Sequence, residues 1–144
     1  MRAHTPLFLL FLPALAHATS ESAADLAYRR CDEAVGPAER VVAICSESLK
    51  EPTISVRTRA RIYAIRGAAY KTDGDLEKAM AEYKESIRID PTYQYGYNGQ
   101  GAIWNLADEP RKAIAEFDKA LALDPKNGVV LSNRCASWTS LDDN

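Results

Sequence analysis

Histidine is nearly absent from this chain: there are two, His4 and His17, and both lie in the first 18 residues. If that segment is removed, general base chemistry and zinc ligation have no imidazole to use. The sequence also lacks a glycine-rich phosphate loop, a nucleophile elbow and a cluster of metal ligands. We therefore expect no catalytic residue, no cofactor and no metal, and we predict a protein that is not an enzyme.

A long apolar run is missing too, and the short one at the amino terminus is typical of a secretory signal. Arg2 is followed by an apolar core from Pro6 to Leu15, and then by Ala16-His17-Ala18 with small residues where signal peptidase reads. A membrane-spanning helix needs about 20 apolar residues, more than this core has. We expect a signal peptide over residues 1–18, with cleavage after Ala16 as the alternative. The mature chain, residues 19–144, would be periplasmic or secreted, without stable membrane insertion.

Strong net charge is also absent. The formal net charge is -2 at pH 7, and loss of Arg2 makes it only slightly more negative. Nucleic-acid binding requires a strongly basic surface. We therefore expect no nucleic-acid partner, and the length fits one domain with a core of its own.

What the sequence does contain is a repeat of 34 residues, in which residues 60–93 align without a gap on residues 94–127. The matched pairs are Gly67 and Gly101, Tyr70 and Trp104, Lys78 and Lys112, Ala79 and Ala113, Tyr83 and Phe117, Ile87 and Leu121, Asp90 and Asp124, and Pro91 and Pro125. Their helical spacing predicts two amphipathic helices in each copy. The small residues would let paired helices cross closely, and the aromatic rings would fill the space beside the crossing.

Each copy has a turn between its two helices. In the first copy Gly74 tolerates left-handed geometry and Asp75 can cap the next helix. In the second copy the segment Asp108-Glu109-Pro110 makes the turn differently, since Pro110 suits a first helical turn. A proline then ends each second helix, because the residue before proline is pushed out of helical geometry.

These positions resemble the tetratricopeptide repeat family. The signature residues are Gly67, Tyr70, Ala79, Tyr83, Pro91, Gly101, Trp104, Ala113, Phe117 and Pro125. Four residues depart from the pattern: Ser86 replaces an alanine, Asp108 the turn glycine, and Arg66 and Gln100 the usual leucine. The resemblance implies an all-α fold, an α-solenoid of antiparallel helix pairs in a right-handed superhelix with about seven helices.

Segments on both sides of the two copies extend the predicted stack. Residues 26–52 read as a degenerate first hairpin, with helices from Leu26 to Val35 and from Ala38 to Lys50, since solenoids need atypical ends. Residues 128–141 read as a closing helix, in which Leu131 and Trp138 would leave an apolar edge. A Cys-Asp pair at Cys31 also resembles short exported bacterial members of the family.

The two upstream cysteines, Cys31 and Cys45, are equidistant from Ala38, at the turn between the two predicted helices. Such positions face one another in an antiparallel hairpin, so we expect a disulfide in an oxidising compartment. The alternatives are two small core residues or a redox site, although no Cys-x-x-Cys motif is present. Cys135 stands where each repeat has a small residue, and we expect it to be a buried free thiol.

A basic stretch enters the first full copy, with Arg57, Arg59 and Arg61 followed one turn later by Arg66. Two interpretations remain open. The arginines contact an acidic partner or an anionic surface, or they belong to a solvated connector and helix start.

In this family the inner face of each first helix binds peptide segments, which implies a groove here. The candidate groove residues are Arg61, Ile65, Lys71, Tyr95, Asn98, Ala102 and Asn105, with Ala64, Ala68 and Gly99 between them. Asparagines offer a donor and an acceptor to a peptide backbone, and tyrosine offers a flat apolar contact. The family's chaperone-tail clamp is not expected, because Ala64, Ala68 and Gly99 occupy clamp positions.

We therefore predict a module that binds a protein or peptide partner. Three alternatives remain: a merely solvated inner face, a structural scaffold that self-associates through its unfinished last repeat, and a thiol-exchange enzyme using Cys31 and Cys45.

Overall fold

The computed structural model describes residues 21–142, and within that range the chain forms seven helices and no strand. The helices are α1 (Ala23–Asp32), α2 (Ala38–Ser48), α3 (Val56–Asp73), α4 (Leu76–Ile89), α5 (Gln94–Leu106), α6 (Pro110–Leu123) and α7 (Gly128–Asp142). The predicted all-α solenoid is confirmed. The predicted signal peptide, residues 1–18, lies outside the described residues.

The helices are stacked in two layers. Each helix packs against the next along the chain, and α1, α3, α5 and α7 also contact one another in turn. Across residues 21–142 the even-numbered helices contact only odd-numbered ones. The odd-numbered helices therefore form one continuous face, on which the predicted groove residues lie.

The amino-terminal hairpin is shifted from its predicted bounds of 26–52. Helix α1 begins at Ala23, because the Ser22 hydroxyl accepts a hydrogen bond from the Asp25 amide at 3.0 Å and caps the helix. Helix α2 ends at Ser48, and Leu49 and Lys50 follow in a turn. The Cys31–Cys45 pair remains central to this hairpin, since both side chains are completely buried.

The two inter-helix turns have the same backbone conformation despite their different sequences. Gly74 has φ of 86°, and its neighbour Asp75 donates its amide hydrogen to the Tyr70 carbonyl at 3.0 Å. Asp108 has φ of 56°, and the Glu109 amide donates to the Trp104 carbonyl at 2.9 Å. Both copies thus place a left-handed residue at the end of the first helix. The start of the second helix differs as predicted, because the Asp75 side chain caps α4, whereas Pro110 is the first residue of α6.

The ends of the second helices also repeat. The Asp90 side chain accepts a hydrogen bond from the Thr92 amide at 2.9 Å, and the Asp124 side chain accepts one from the Lys126 amide at 3.3 Å. Each aspartate thus forms a local turn around the proline that follows it.

The signature residues occupy the core as their spacing predicts. Ala79, Ala113 and Phe117 are fully buried, and Tyr83 is nearly so. A Cβ atom built on Gly101 would lie 2.5 Å from the Phe117 ring, so only glycine fits at that helix crossing. The partly buried rings of Tyr70 and Trp104 each lie beneath a lysine of the same copy, 5.4 Å from Lys78 Nζ and 4.7 Å from Lys112 Nζ. Pro91 and Pro125 are exposed.

Two departures from the family pattern have structural partners. The fully buried Ser86 donates its hydroxyl hydrogen to the Ala60 carbonyl at 2.7 Å, which ties α4 to the first turn of α3. Arg66 forms two hydrogen bonds with Glu82, at 2.8 and 2.9 Å, and a third with Ser46 of α2 at 3.0 Å. A leucine at this position could not link three helices in this way.

The prediction of a buried Cys135 is wrong, because its side chain is exposed. In the preceding copy the equivalent Gly101 is covered by Phe117 of α6. No helix of the described chain follows α7 to cover Cys135. Leu131 and Trp138, on the same side of α7, are 40% and 52% exposed, so the predicted apolar edge is present.

Candidate functional site

Most of the predicted groove residues surround one cavity on the face formed by the odd-numbered helices. Its volume is about 340 Å³, and the predicted residues in its wall are Ala64, Ile65, Ala68, Lys71, Tyr95, Asn98, Gly99 and Ala102. We call this the central cavity. Helix α7 closes one side of it with Val129 and Asn133.

Arg61 lies in a second cavity of about 400 Å³ toward the amino-terminal hairpin, which we call the arginine cavity. Its lining also includes Tyr28 and Asp32 of α1, together with Arg57. Ile65, Tyr93 and Tyr95 line both cavities. The two cavities therefore adjoin and form one groove, which runs from α1 to α7.

The central cavity is shallow because the side-chain ring of Tyr83 fills the space beside Gly99. A Cβ atom on Gly99 would lie 2.3 Å from the Tyr83 ring, so the ring of α4 passes between the odd-numbered helices and forms part of the floor. Burial raises the pKa of Tyr83 to about 12, and burial likewise raises the pKa of Tyr93 to about 12. Both hydroxyls are therefore neutral at physiological pH and remain hydrogen-bond donors.

The two predicted asparagines already bond to α7 through their amide oxygens. Asn98 Oδ1 accepts from Asn133 Nδ2 at 3.1 Å, and Asn105 Oδ1 accepts from the Ser137 hydroxyl at 2.8 Å. Asn98 still lines the central cavity, where its Nδ2 group can donate to a ligand. Asn105 lines neither cavity, and its observed role is to hold α7 against α5.

Three of the four arginines in the basic stretch are occupied by contacts within the fold. Arg57 pairs with Asp90 at 2.8 Å, Arg59 donates to the Leu49 carbonyl at 3.0 Å, and Arg66 pairs with Glu82. The picture of a solvated connector is therefore incomplete, because these side chains tie the connector to neighbouring helices. Arg61 differs, since its side chain donates a hydrogen bond to the Tyr28 hydroxyl and shares the arginine cavity with Tyr93.

The structure brings Cys31 and Cys45 together at the centre of the amino-terminal hairpin. Their sulfur atoms are 1.98 Å apart and their Cα atoms 4.6 Å apart. Tyr28 and Asp32, which belong to the arginine cavity, are on the same helix as Cys31, within one turn of it. The cysteine pair thus anchors the helix that forms one wall of the groove.

The sequence did not indicate the contributions of Tyr28, Tyr93 and Asn133 to the groove. Tyr28 lies in a hairpin that matches the repeat poorly, and Tyr93 stands just before α5 at a position that carries no repeat signature. Only the contacts α1 with α3 and α5 with α7 bring these residues to the groove. The signal available in the sequence was the concentration of tyrosines at Tyr93, Tyr95 and Tyr97.

Between residues 21 and 142, no helix is long and apolar enough to cross a membrane. The same residues contain no group of three or more histidine, cysteine, aspartate or glutamate side chains placed to hold a metal ion.

Comparison with known proteins supports the repeat and the fold. The family model of the tetratricopeptide repeat matches residues 60–93. The TPR domain of Arabidopsis OM64 is similar in structure, with a TM-score of 0.70 and 19% identity over 81% of this chain and 95% of that one. The first TPR of Spaghetti (RPAP3), bound to the HSP90 peptide SRMEEVD, gives a TM-score of 0.66 and 12% identity over 83% of this chain and 90% of that one.

No curated protein matches the sequence at a significant level. Residues 60–93 thus match the model of the tetratricopeptide repeat, and the stack of helices has the same fold as solved TPR domains.

Proposed function

We propose that this chain is a protein–protein interaction module whose groove binds an extended peptide segment of a partner. The observation that carries the proposal is the continuity of the central and arginine cavities, which share Ile65, Tyr93 and Tyr95. A groove that spans several helices fits a linear segment better than a compact small molecule. The solved RPAP3 domain, which has a similar fold, is itself bound to a peptide.

The chemistry of the groove suits contact with a peptide backbone. Ala64, Ala68, Gly99 and Ala102 have small or no side chains, so a ligand backbone can approach the helices closely. Asn98 supplies an amide donor for a peptide carbonyl, and the half-exposed ring of Tyr95 supplies a flat apolar surface. Since Ala64, Ala68 and Gly99 occupy the clamp positions of chaperone-binding members, we expect a mode of binding different from that clamp.

The test is to fill the groove without touching the core. Peptides that bind the purified protein are selected from a displayed random library, and their affinity is measured by fluorescence anisotropy. The variant is Ala68→Trp, because Ala68 is exposed and lines the central cavity. The matched control is Ala115→Trp, which adds the same side chain at an exposed position on the outer helix α6.

We expect Ala68→Trp to lower the affinity at least tenfold, because an indole occupies the volume that the peptide needs, while Ala115→Trp leaves the affinity unchanged. Circular dichroism of both variants checks that the helices are intact. Equal affinities for the two variants would place the peptide elsewhere and remove the groove from the account.

A second candidate function is self-association through the end of the stack. It rests on the exposed stripe of Leu131, Cys135 and Trp138 on α7, which recurs at helical spacing. The equivalent face of α5 is covered by α6, so a second copy of α7 is the occupant we consider. Sedimentation velocity decides: a dimer that Trp138→Lys converts to a monomer supports it, and a strict monomer at high concentration rules it out.

We further infer that the protein is exported and that Cys31 and Cys45 form a disulfide after export. The signal-like segment of residues 1–18 and the closeness of the two buried sulfur atoms support this inference. Amino-terminal sequencing of protein from the cell envelope should begin at Thr19. Thiol counting on denatured, non-reduced protein should find one thiol, that of Cys135, whereas three thiols would contradict the disulfide.

A further inference from the structure

Arg61 is the arginine of the arginine cavity whose charge no carboxylate of the described chain neutralises. Within the described residues it forms no ion pair, whereas Arg57 on the same helix face is paired with Asp90. Its guanidinium carbon lies 4.0 Å from the centroid of the Tyr28 ring and the group donates a hydrogen bond to the Tyr28 hydroxyl, while Tyr93 lines the same cavity. These contacts fix the position of the guanidinium without neutralising it, since the two phenols are uncharged.

The two tyrosines are themselves held in place. The Tyr28 hydroxyl accepts a hydrogen bond from Arg61, and burial, followed by the influence of nearby Asp32, raises the pKa of Tyr28. Tyr93 is largely buried, and the guanidinium of Arg57 lies 4.7 Å from its ring centroid. The arginine cavity therefore presents one fixed positive charge and two neutral phenols within about 400 Å³ of accessible space.

We propose that Arg61, with the hydroxyls of Tyr28 and Tyr93, forms a subsite for a single carboxylate of the bound peptide. A guanidinium offers parallel N–H donors that match the two oxygens of a carboxylate. The carboxylate comes from an acidic side chain or from the carboxyl terminus of the peptide. This inference rests on the proposed groove function, and it specifies that the end of the groove next to α1 binds a negative charge of the peptide.

The surrounding charges favour a monoanion over a phosphate. Asp32 lines the same cavity, and Asp90 neutralises Arg57. A dianionic phosphate would meet one available arginine and a nearby carboxylate, which repels it more than it repels a carboxylate. The subsite is thus expected to prefer glutamate or a chain terminus over phosphoserine.

The experiment uses the display-selected peptides on the purified protein. The strongest binder is synthesised with each acidic residue replaced in turn by its amide, with its carboxyl terminus amidated, and with phosphoserine in place of the sensitive acidic residue. Isothermal titration gives each affinity. We expect one replacement to lower the affinity about tenfold, as for loss of a charge-assisted hydrogen bond. Whether it is a side-chain amide or the terminal amide identifies the source of the carboxylate.

Arg61→Gln should abolish that tenfold difference, so that the acid and amide peptides bind equally, whereas Arg61→Lys should keep part of it. The matched control is Arg111→Gln on the outer helix α6, which should keep the whole difference. If Arg61→Gln does not fold, the Arg61 Nε–H resonance of the unsubstituted protein replaces it. That resonance should shift on addition of the acidic peptide and remain in place on addition of the amide.

Two outcomes separate this inference from the proposed function. If the peptides bind, Ala68→Trp blocks them, and no acid-to-amide replacement changes the affinity, then the groove stands and the carboxylate subsite is overturned. If Ala68→Trp has no effect, the groove itself is overturned. An acid preference that survives in Arg61→Gln would also overturn the subsite, because another cation would be responsible.

Discussion

The two copies of the repeat, residues 60–93 and 94–127, align position by position, but different kinds of contact hold their paired helices together. In the first copy Arg66 on α3 pairs with Glu82 on α4, both largely buried. In the second copy the same two positions hold Gln100 and Glu116, and Glu116 Oε2 is buried without a hydrogen-bond partner in the described structure. The second hairpin relies instead on the Phe117 ring packed against Gly101.

This difference shows what the repeat pattern determines and what it leaves open. The pattern fixes where each helix begins and which side faces its partner. Whether a position holds a ring, a hydroxyl or an ion pair depends on the neighbouring helix. In the first copy, for example, Arg66 donates a hydrogen bond to Ser46 of α2. Four tests distinguish the two copies, three of them with a matched pair of substitutions, and they are given in order of decreasing effect on stability.

Of the positions compared between the copies, the helix crossing at Gly101 should be the most sensitive to added volume. We expect Gly101→Ala to lower the free energy of unfolding by about 3 kcal/mol, because its Cβ would lie 2.5 Å from the Phe117 ring. The matched change Gly67→Ala should cost less than about 1 kcal/mol, because its nearest neighbour is 3.2 Å away and alanine favours helix. Urea denaturation measures both. Equal costs would contradict the difference in packing.

In the part of the chain that the structure describes, a buried ion pair between the two helices of a repeat is present only in the first copy, where Arg66 pairs with Glu82. We expect Glu82→Gln to lower the free energy of unfolding by about 2 kcal/mol, since it leaves the partly buried Arg66 unpaired. Glu116→Gln should change it by less than about 0.5 kcal/mol, because it loses only the pair of Oε1 with the exposed Lys119 at 2.8 Å and its amide can donate where Oε2 has no partner. A loss as large as that of Glu82→Gln would contradict this difference between the copies.

Tyr83 of the first copy has a hydroxyl group that titrates, whereas Phe117, at the same position of the second copy, has none. Because burial raises the pKa of Tyr83 from 10.0 to about 12, its contribution is complete below pH 10 and is lost as the pH rises toward 12. The loss amounts to about 2 kcal/mol near pH 12. Thermal unfolding of Tyr83→Phe should show a smaller loss of stability over this pH range than the unsubstituted protein. Some loss remains in the variant, because Tyr93 contributes one of the same sign. An identical pH profile in both proteins would contradict the burial of the hydroxyl.

The turns should respond least and in opposite directions. We expect Asp108→Gly to raise the free energy of unfolding by about 0.5 kcal/mol, since glycine adopts a φ of 56° without the strain that a side chain brings. Gly74→Asp should lower it by about 1 kcal/mol for the same reason. Thermal denaturation of both variants measures the pair, and a loss of stability in Asp108→Gly would mean that the aspartate side chain stabilises the turn.

The fold was predictable because the 34-residue spacing of the repeat determines where its helices lie. The positions of Gly67, Ala79 and Pro91 recur in the next copy, and local spacing is enough to place four helices. Exposure of Cys135 was not predictable from its register alone, because burial there depends on a following helix. The occupied oxygens of Asn98 and Asn105 were not predictable either, because their partners Asn133 and Ser137 belong to the closing helix.

Mapping a selected peptide onto the protein by NMR shows whether the peptide binds in the groove. Backbone amide shifts should change along the inner faces of α3 and α5 and at the start of α7, around Ile65, Tyr95 and Asn98. The outer helices α2, α4 and α6 should change little, apart from residues near Tyr83, whose ring forms the floor. Shifts concentrated on the outer helices, or on Leu131 and Trp138 of α7 alone, would contradict peptide binding in the groove.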